Sequence, residues 1–146
     1  MEAEFRRLHG VTCTQVGYAG GTLPRPTYSD VCSHGTGHAE VVEVEYDPAA
    51  ISYEQLLDVF WSSHNPAVRS GRWFDPTSQY RSVIFFHTPE QEHAAKGSAA
   101  QLEASGKLRG KLATQILSAP TFWRAEEYHQ QFYEKQGRVS CAIRRP

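Results

Sequence analysis

Residues 18–40 form the segment that most restricts how this chain can fold. Glycine occupies positions 20, 21, 35 and 37, and proline occupies positions 24 and 26. Glycine admits backbone conformations closed to other residues, whereas proline fixes its own φ and lacks an amide hydrogen. We therefore predict a long irregular loop between two strands. Long loops of this composition carry function more often than they serve as spacers.

Hydrophobic periodicity on either side of this loop predicts strands and helices in alternation. Residues 41–46 alternate strictly between apolar and polar side chains, which is typical of a half-buried strand. Residues 52–63 place apolar side chains at helical spacing after Ser52, a favourable N-cap. We expect the tail from Gly137 to be mobile. Further strands are predicted over 11–16, 82–86 and 113–117, helices over 2–8, 88–105 and 125–136, and irregular structure over 65–79.

This order of elements, with few long crossovers, favours an α+β fold over a doubly wound sheet. The expected architecture is a two-layer sandwich of ferredoxin-like type with long irregular loops, built as a single domain over 1–146. No window approaches the apolar length of a membrane span, and the N-terminus lacks the apolar core of a signal peptide. The net charge is −1 and no basic stripe is present, so we expect a monomer that binds neither membrane nor nucleic acid.

The three cysteines are an odd number at wide spacings and include no CxxC pair. That pattern is not typical of a disulfide framework or a zinc site, and it favours a cytoplasmic protein. His34 and His38 stand four apart, but two glycines between them argue against a helix that would align them as ligands. We therefore expect no metal and no cofactor.

Glu40 is the first candidate for chemistry, because it lies between the loop and an apolar strand. Burial there would raise its pKa, so that a neutral carboxyl could donate a proton to an oxygen. Composition alone favours an ordinary strand-end glutamate. Tyr28 and Tyr80 are either site phenols or core tyrosines, and Asp75 before Pro76 also fits a simple Asx turn.

Two further residues have open roles on the sequence alone. Cys141 lies in a polar tail, where a thiol can swing to meet another thiol, but a spectator cysteine is an equal alternative. His129, on the last predicted helix beside Tyr128, is expected to pack or to face solvent.

Together these residues resemble the A-type methionine sulfoxide reductases, the peptide-methionine (S)-S-oxide reductases, and the resemblance runs from Glu2 nearly to the end. It implies that Glu40 protonates the sulfoxide oxygen, that Tyr28 and Tyr80 hydrogen-bond it, and that Asp75 lies beside them. It also implies thioredoxin as the reductant and Cys141 as the resolving thiol. The matching motifs are GYAGG at 17–21, PTY at 26–28, VCS at 31–33, TGHAE at 36–40, YDP at 46–48 and QYRS at 79–82.

The chain departs from the family pattern in two places. The family's attacking cysteine lies in Gly-Cys-Phe-Trp-Gly, followed by any residue and Glu; Met1 and Glu2 fit the last two positions, so the motif would end directly before Met1. We therefore expect an N-terminally truncated chain without its nucleophile, inactive as it stands. The alternative is a pseudoenzyme that binds methionine sulfoxide or a protein partner. Trp73 and Phe74 also replace residues of the family's loop around Asp75.

Overall fold

The structure is a computed structural model that describes residues 1–33, 35–68, 80–108 and 110–130. Its helices are α1 (Glu2–Arg6), α2 (Tyr28–Cys32), α3 (Tyr53–Ser62) and α4 (Pro89–Ala104), with a 3₁₀ turn at Glu127–His129. Its strands are β1 (Val11–Ala19), β2 (Ala39–Tyr46), β3 (Ala67–Val68), β4 (Val83–Phe86), β5 (Lys111–Leu112), β6 (Gln115–Ser118) and β7 (Trp123–Arg124). Within the described ranges, no helix has the length and apolar character needed to cross a membrane.

Three small sheets organise these strands. The largest is antiparallel, with β1 at its centre, β2 on one side and β7 on the other. Its register sets Tyr18 opposite Glu40, and residues directly opposite in an antiparallel pair project from the same face. Strands β4 and β6 pair in parallel, and β3 pairs with β5. The predicted α+β class is confirmed.

The core is divided into clusters that join helices to strands. Leu57, Ile84 and Ala95 connect α3 and α4 to β4, while a second cluster around Phe5 connects α1 to α3. A third cluster is built from Tyr18, Val31 and Ala125. Because Val31 belongs to α2 and Tyr18 to β1, this third cluster fixes α2 against the sheet.

The predicted loop over 18–40 is shorter and more ordered than expected. Strand β1 continues to Ala19, β2 begins at Ala39, and α2 lies between them. Thr27 caps α2, because its hydroxyl accepts from the Asp30 N–H at 3.2 Å while its own N–H donates to the Asp30 carboxylate at 2.9 Å. This reciprocal pair is a capping box.

The prediction of a helix over 125–136 is wrong for residues 125–130, the part that the structure describes. These residues contain a short 3₁₀ turn and no α-helix. Tertiary hydrogen bonds override helical propensity there. The Ala125 N–H donates to the Val16 carbonyl at 2.9 Å, and the Gln130 side chain accepts from the Val16 N–H and donates to the Val16 carbonyl, both at 2.7 Å. The strand predicted over 113–117 is displaced to β6. Residues 131–136 and the tail from Gly137 lie outside the described residues.

Candidate active site

Glu40 is the second residue of β2 and is half-buried. Burial raises the pKa of its carboxyl, and the nearby His129 opposes this shift in part. The cause is desolvation, which disfavours the charged form. The position of Glu40 therefore shifts its pKa in the direction that its predicted role as a proton donor requires.

Tyr28 opens α2 and is 38% exposed, so its phenol reaches the protein surface near Glu40. A hydrogen bond with the Cys32 side chain is the main cause that raises the pKa of Tyr28 to about 12, and the charges of Cys32, Tyr80 and Glu40 add to it. The Tyr28 phenol therefore keeps its proton at neutral pH and is available as a donor.

A cavity of about 620 Å³ lies beside these groups and brings Glu40, Tyr80 and His129 into one lining. Most of its other walls are apolar and come from β2, α3 and β4, including Val42, Val44, Leu56, Phe60 and Phe85. Tyr80 is 70% exposed, so it stands at the rim. A cavity of this size is within the range of about 300–1,000 Å³ that small-molecule sites occupy.

His129 also lines this cavity; it packs as predicted, but it lies on a 3₁₀ turn and not on a regular helix. Its ring lies between two phenols, with centroids 4.6 Å from Tyr28 and 4.1 Å from Tyr128. Its effect on Glu40 places it within electrostatic range of that carboxyl. No local sequence signal indicates this role, because His129 lies about 90 residues from Glu40 and the sheet alone brings the two together.

His38 serves the backbone of the loop. It is 2% exposed; its Nδ1 accepts from the Gly21 N–H at 3.0 Å, so its Nε2 donates to the Leu23 carbonyl at 2.7 Å. Gly21 must be glycine here, since a Cβ would come within 2.4 Å of the Thr36 carbonyl. Both ring nitrogens are thus engaged in holding the loop that leads to Glu40.

Glu40 and Tyr80 line the same cavity, and both lie within electrostatic range of Tyr28. Asp75 and Cys141 lie outside the described residues, as do Trp73, Phe74 and His34. Among the described residues, no group of three or more histidine, cysteine or acidic side chains could hold a metal ion.

This arrangement defines a class of site. A carboxyl whose pKa is raised by burial, with phenols near it and an apolar cavity next to it, suits a substrate with one polar oxygen on an apolar group. Such donors stabilise negative charge as it develops on that oxygen.

The comparisons with known proteins agree with this class. The family model for peptide methionine sulfoxide reductase matches residues 1–146. A peptide methionine sulfoxide reductase MsrA of Geobacter metallireducens is 55% identical over 141 residues, which cover 97% of this chain and 87% of that protein. The chain belongs to the peptide methionine sulfoxide reductase family, whose members are oxidoreductases.

Solved structures agree on the fold. The crystal structure of Mxr1 from Saccharomyces cerevisiae in reduced form superposes with a TM-score of 0.78 at 30% identity, covering 94% of this chain and 81% of that one. Mxr1 in complex with Trx2 superposes with a TM-score of 0.60 at 25% identity, covering 90% of this chain and 74% of that one.

Proposed function

We propose that this site reduces the S-epimer of methionine sulfoxide, free or in proteins, to methionine. The observation that carries the proposal is the position of Glu40, which is half-buried with a raised carboxyl pKa and lines an apolar cavity together with Tyr80, within electrostatic range of Tyr28. The carboxyl would give its proton to the sulfoxide oxygen, the phenols would donate hydrogen bonds to it, and the cavity would hold the apolar part. Asp75 is proposed to complete the site.

The reaction requires an attacking thiol. Attack on the sulfur of methionine sulfoxide transfers the oxygen, so that the thiol becomes a sulfenic acid and methionine leaves. The cysteine proposed for this step is that of a Gly-Cys-Phe-Trp-Gly motif joined directly to Met1. Met1, Glu2 and Ala3 line the same cavity as Glu40, which supports that placement.

The cycle then closes by thiol exchange. Cys141 is proposed to condense with the sulfenic acid, releasing water and forming a disulfide, which thioredoxin reduces while its own two thiols are oxidised. The relative solved in complex with Trx2 supports this choice of reductant. A dithiol reductant of that kind also supports a cytoplasmic location.

The experiment compares the 146-residue chain with a chain that carries Gly-Cys-Phe-Trp-Gly ahead of Met1, each assayed with methionine sulfoxide and a dithiol. We expect turnover only from the extended chain, lost when the added cysteine is replaced by serine. Glu40→Gln in the extended chain should lower kcat by about 10²-fold or more, because a general acid contributes about 10² to 10⁴.

Two results would contradict the proposal. One is a folded extended chain that carries the motif and leaves methionine sulfoxide unchanged. The other is an extended chain in which Glu40→Gln and wild type turn over at equal rates.

The second candidate function is binding without turnover, and the cavity favours it for the 146-residue chain. A cavity of about 620 Å³ with phenol and carboxyl donors at its mouth can receive a small sulfoxide even without a thiol. Calorimetry with methionine sulfoxide, and methionine as the matched control, should show saturable binding of the sulfoxide alone. Equal heats for both compounds, or none, would dismiss this candidate.

A further inference from the structure

Glu126 connects three separate parts of the site through one carboxylate. One oxygen, Oε1, accepts a hydrogen bond from the Tyr28 backbone N–H at 3.0 Å. The other, Oε2, accepts from the Tyr18 hydroxyl at 3.4 Å and lies 3.3 Å from Nε2 of His129. The residues joined belong to β1, α2 and the 3₁₀ turn, so the carboxylate spans elements about 100 positions apart in sequence.

We propose that Glu126 is a positioning residue that holds the Tyr28 phenol and the His129 ring at their places beside Glu40. This inference rests on the proposed function, since it concerns the groups that would act on the sulfoxide oxygen. In this proposal Glu126 acts only through Tyr28 and His129 and does not itself contact the substrate.

The backbone that carries Glu126 is fixed on both sides. Ala125 is 3% exposed and bonds to β1 through its N–H. Gln130 is 1% exposed and bonds to the same strand through its side-chain amide, which also donates to the Ala125 carbonyl at 2.9 Å. The carboxylate of Glu126 is therefore presented from a rigid base, which is what a positioning group needs.

Glu126 adds polar contacts to groups that the Val31 packing and the Thr27 cap of α2 do not reach. Helix α2 has only five residues, and the Tyr28 N–H is one of the amides at a helix start that have no partner within the helix. A charge-assisted hydrogen bond to carboxylate is stronger than a neutral one. His129 Nε2 is buried and makes no aligned hydrogen bond within the described residues. The Glu126 carboxylate, 3.3 Å away, therefore offsets the cost of burying this nitrogen.

Tyr18 completes the arrangement from the other side. It is 1% exposed and lies opposite Glu40 in the β1–β2 register. Burial, together with the charge of Glu126, raises the pKa of the Tyr18 phenol, so it remains a proton donor to the carboxylate. The Tyr18 hydroxyl thereby fixes the orientation of Glu126, and Glu126 in turn fixes α2.

The test uses Glu126→Ala, with Glu126→Gln as the conservative variant and Glu127→Ala as the matched control. Glu127 neighbours Glu126, is 62% exposed and pairs with Arg124 at 2.9 Å. In the extended chain, Glu126→Ala should lower kcat by about 10²-fold with a smaller change in KM, because a misplacement of about 1 Å costs about 10²-fold. Glu126→Gln should fall between wild type and alanine, and Glu127→Ala should stay within about twofold of wild type.

A second measurement needs no turnover. Hydrogen exchange of the Tyr28 backbone amide, followed by NMR in the 146-residue chain, should become about tenfold faster in Glu126→Ala, because that amide loses its acceptor. Glu127→Ala should leave it unchanged. Equal kcat, or an equal Tyr28 exchange rate, in the Glu126 and Glu127 variants would overturn the proposal.

The readouts also separate this inference from the proposed function. An extended chain with no turnover at all would remove the proposed function, while the Tyr28 exchange rate would still decide whether Glu126 holds α2. If Glu126→Ala fails to fold, Tyr18→Phe removes only a hydroxyl from the same arrangement. It should lower kcat by about threefold and speed Tyr28 exchange; an unchanged Tyr18→Phe protein would count against the proposal.

Discussion

At the scale of single residues, the chemistry depends on how two opposing effects act on Glu40. Burial raises the pKa of its carboxyl, while His129 lowers it. Burial is the larger effect, so the proton is retained to higher pH than in an exposed glutamate. In the proposed reaction, Tyr28 and Tyr80 would donate hydrogen bonds to the oxygen that this carboxyl protonates.

The first prediction concerns Glu40 and the stability of the 146-residue chain. A carboxyl whose pKa is raised on folding binds its proton more tightly when folded, so its contribution to stability is present below its ordinary pKa of 4.5. It is lost as pH rises through the higher folded pKa. Glu40→Gln carries no charge at any pH, so its melting temperature should exceed that of wild type by a few degrees at pH 7.5.

Thermal unfolding of both proteins between pH 4 and pH 7.5 checks this prediction. The difference should shrink toward zero at pH 4, where both side chains are neutral. Glu43→Gln, on the same strand, is the control. A constant difference across the range, or a Glu40→Gln variant that is less stable at pH 7.5, would show that burial does not govern this carboxyl.

Sequence reasoning selected Glu40, Tyr28 and Tyr80 as candidates because each lies in or beside a short motif with a recognisable boundary. It missed His129 and Glu126 for a physical reason. Their roles arise only when β7 and the following turn pair with β1, and residues 16 and 125 are too far apart for any local pattern to show that contact. A histidine in a helix-like stretch then had no distinguishing feature.

At the scale of elements, α2 shows how local sequence and site geometry are joined. The Thr27 and Asp30 capping box begins this helix of five residues, and Tyr28 follows the cap directly. The pattern Thr-x-x-Asp was present in the sequence, but the surrounding glycines and prolines favoured a loop. The long helices α3 and α4 were found with bounds correct to within one residue, because caps and apolar spacing agreed there.

The second prediction tests that cap. Thr27→Ala removes the acceptor for the Asp30 N–H and should destabilise α2 by about 1 kcal/mol, the typical loss for an N-cap. Since α2 is short and peripheral, we expect faster amide exchange in residues 28–32 and little change in global unfolding by urea. Ser52→Ala, the same kind of change at the start of α3, should instead lower the global unfolding free energy. A reversed pattern would refute this assignment.

The third prediction concerns His64, which joins the end of α3 to the start of β4. Its Nδ1 donates to the Phe60 carbonyl at 2.7 Å, and its Nε2 then accepts from the Ser82 hydroxyl at 2.7 Å. Burial lowers the pKa of His64 below its ordinary 6.5. A depressed histidine pKa means that stability is present above pH 6.5 and is lost as pH falls below it.

Urea unfolding from pH 7.5 to pH 5.5 measures this effect. Wild type should lose more stability over that range than His64→Asn, which should be less stable at pH 7.5 but show a flatter dependence. His93→Asn, at an exposed position on α4, is the control and should keep the wild-type slope. Parallel curves for wild type and His64→Asn would exclude His64 as the source.

At the scale of the whole molecule, the cavity is the feature that sequence could not predict. It lies between β2 and β4, and consecutive residues of both strands line it. In the described residues, β2 belongs to the sheet that contains β1, and β4 belongs to a separate sheet with β6. The cavity is therefore bordered by one strand from each of these two sheets. Periodicity identifies which residues are strands, but the separation of two sheets depends on tertiary packing.

The N-terminal residues lie at this cavity. Met1, Glu2 and Ala3 line it beside the apolar walls, and the Met1 ammonium lies 3.1 Å from the Glu4 carboxylate. Residues joined ahead of Met1 would begin at this cavity. Apolar side chains among them can bury surface there, at about 1.5–3 kcal/mol for a fully buried aromatic residue.

The fourth prediction follows from that position. A chain extended by Gly-Cys-Phe-Trp-Gly ahead of Met1 should melt several degrees higher than a chain extended by Gly-Ser-Gly-Ser-Gly. Both extensions move the terminal ammonium away from Glu4 equally, so the difference isolates packing by the phenylalanine, tryptophan and cysteine. Tryptophan fluorescence of the first chain, compared with its Trp→Gly variant, should show a buried indole. Equal melting temperatures together with a solvent-exposed indole would mean that these side chains pack on nothing, and the attacking cysteine would then need to come from elsewhere.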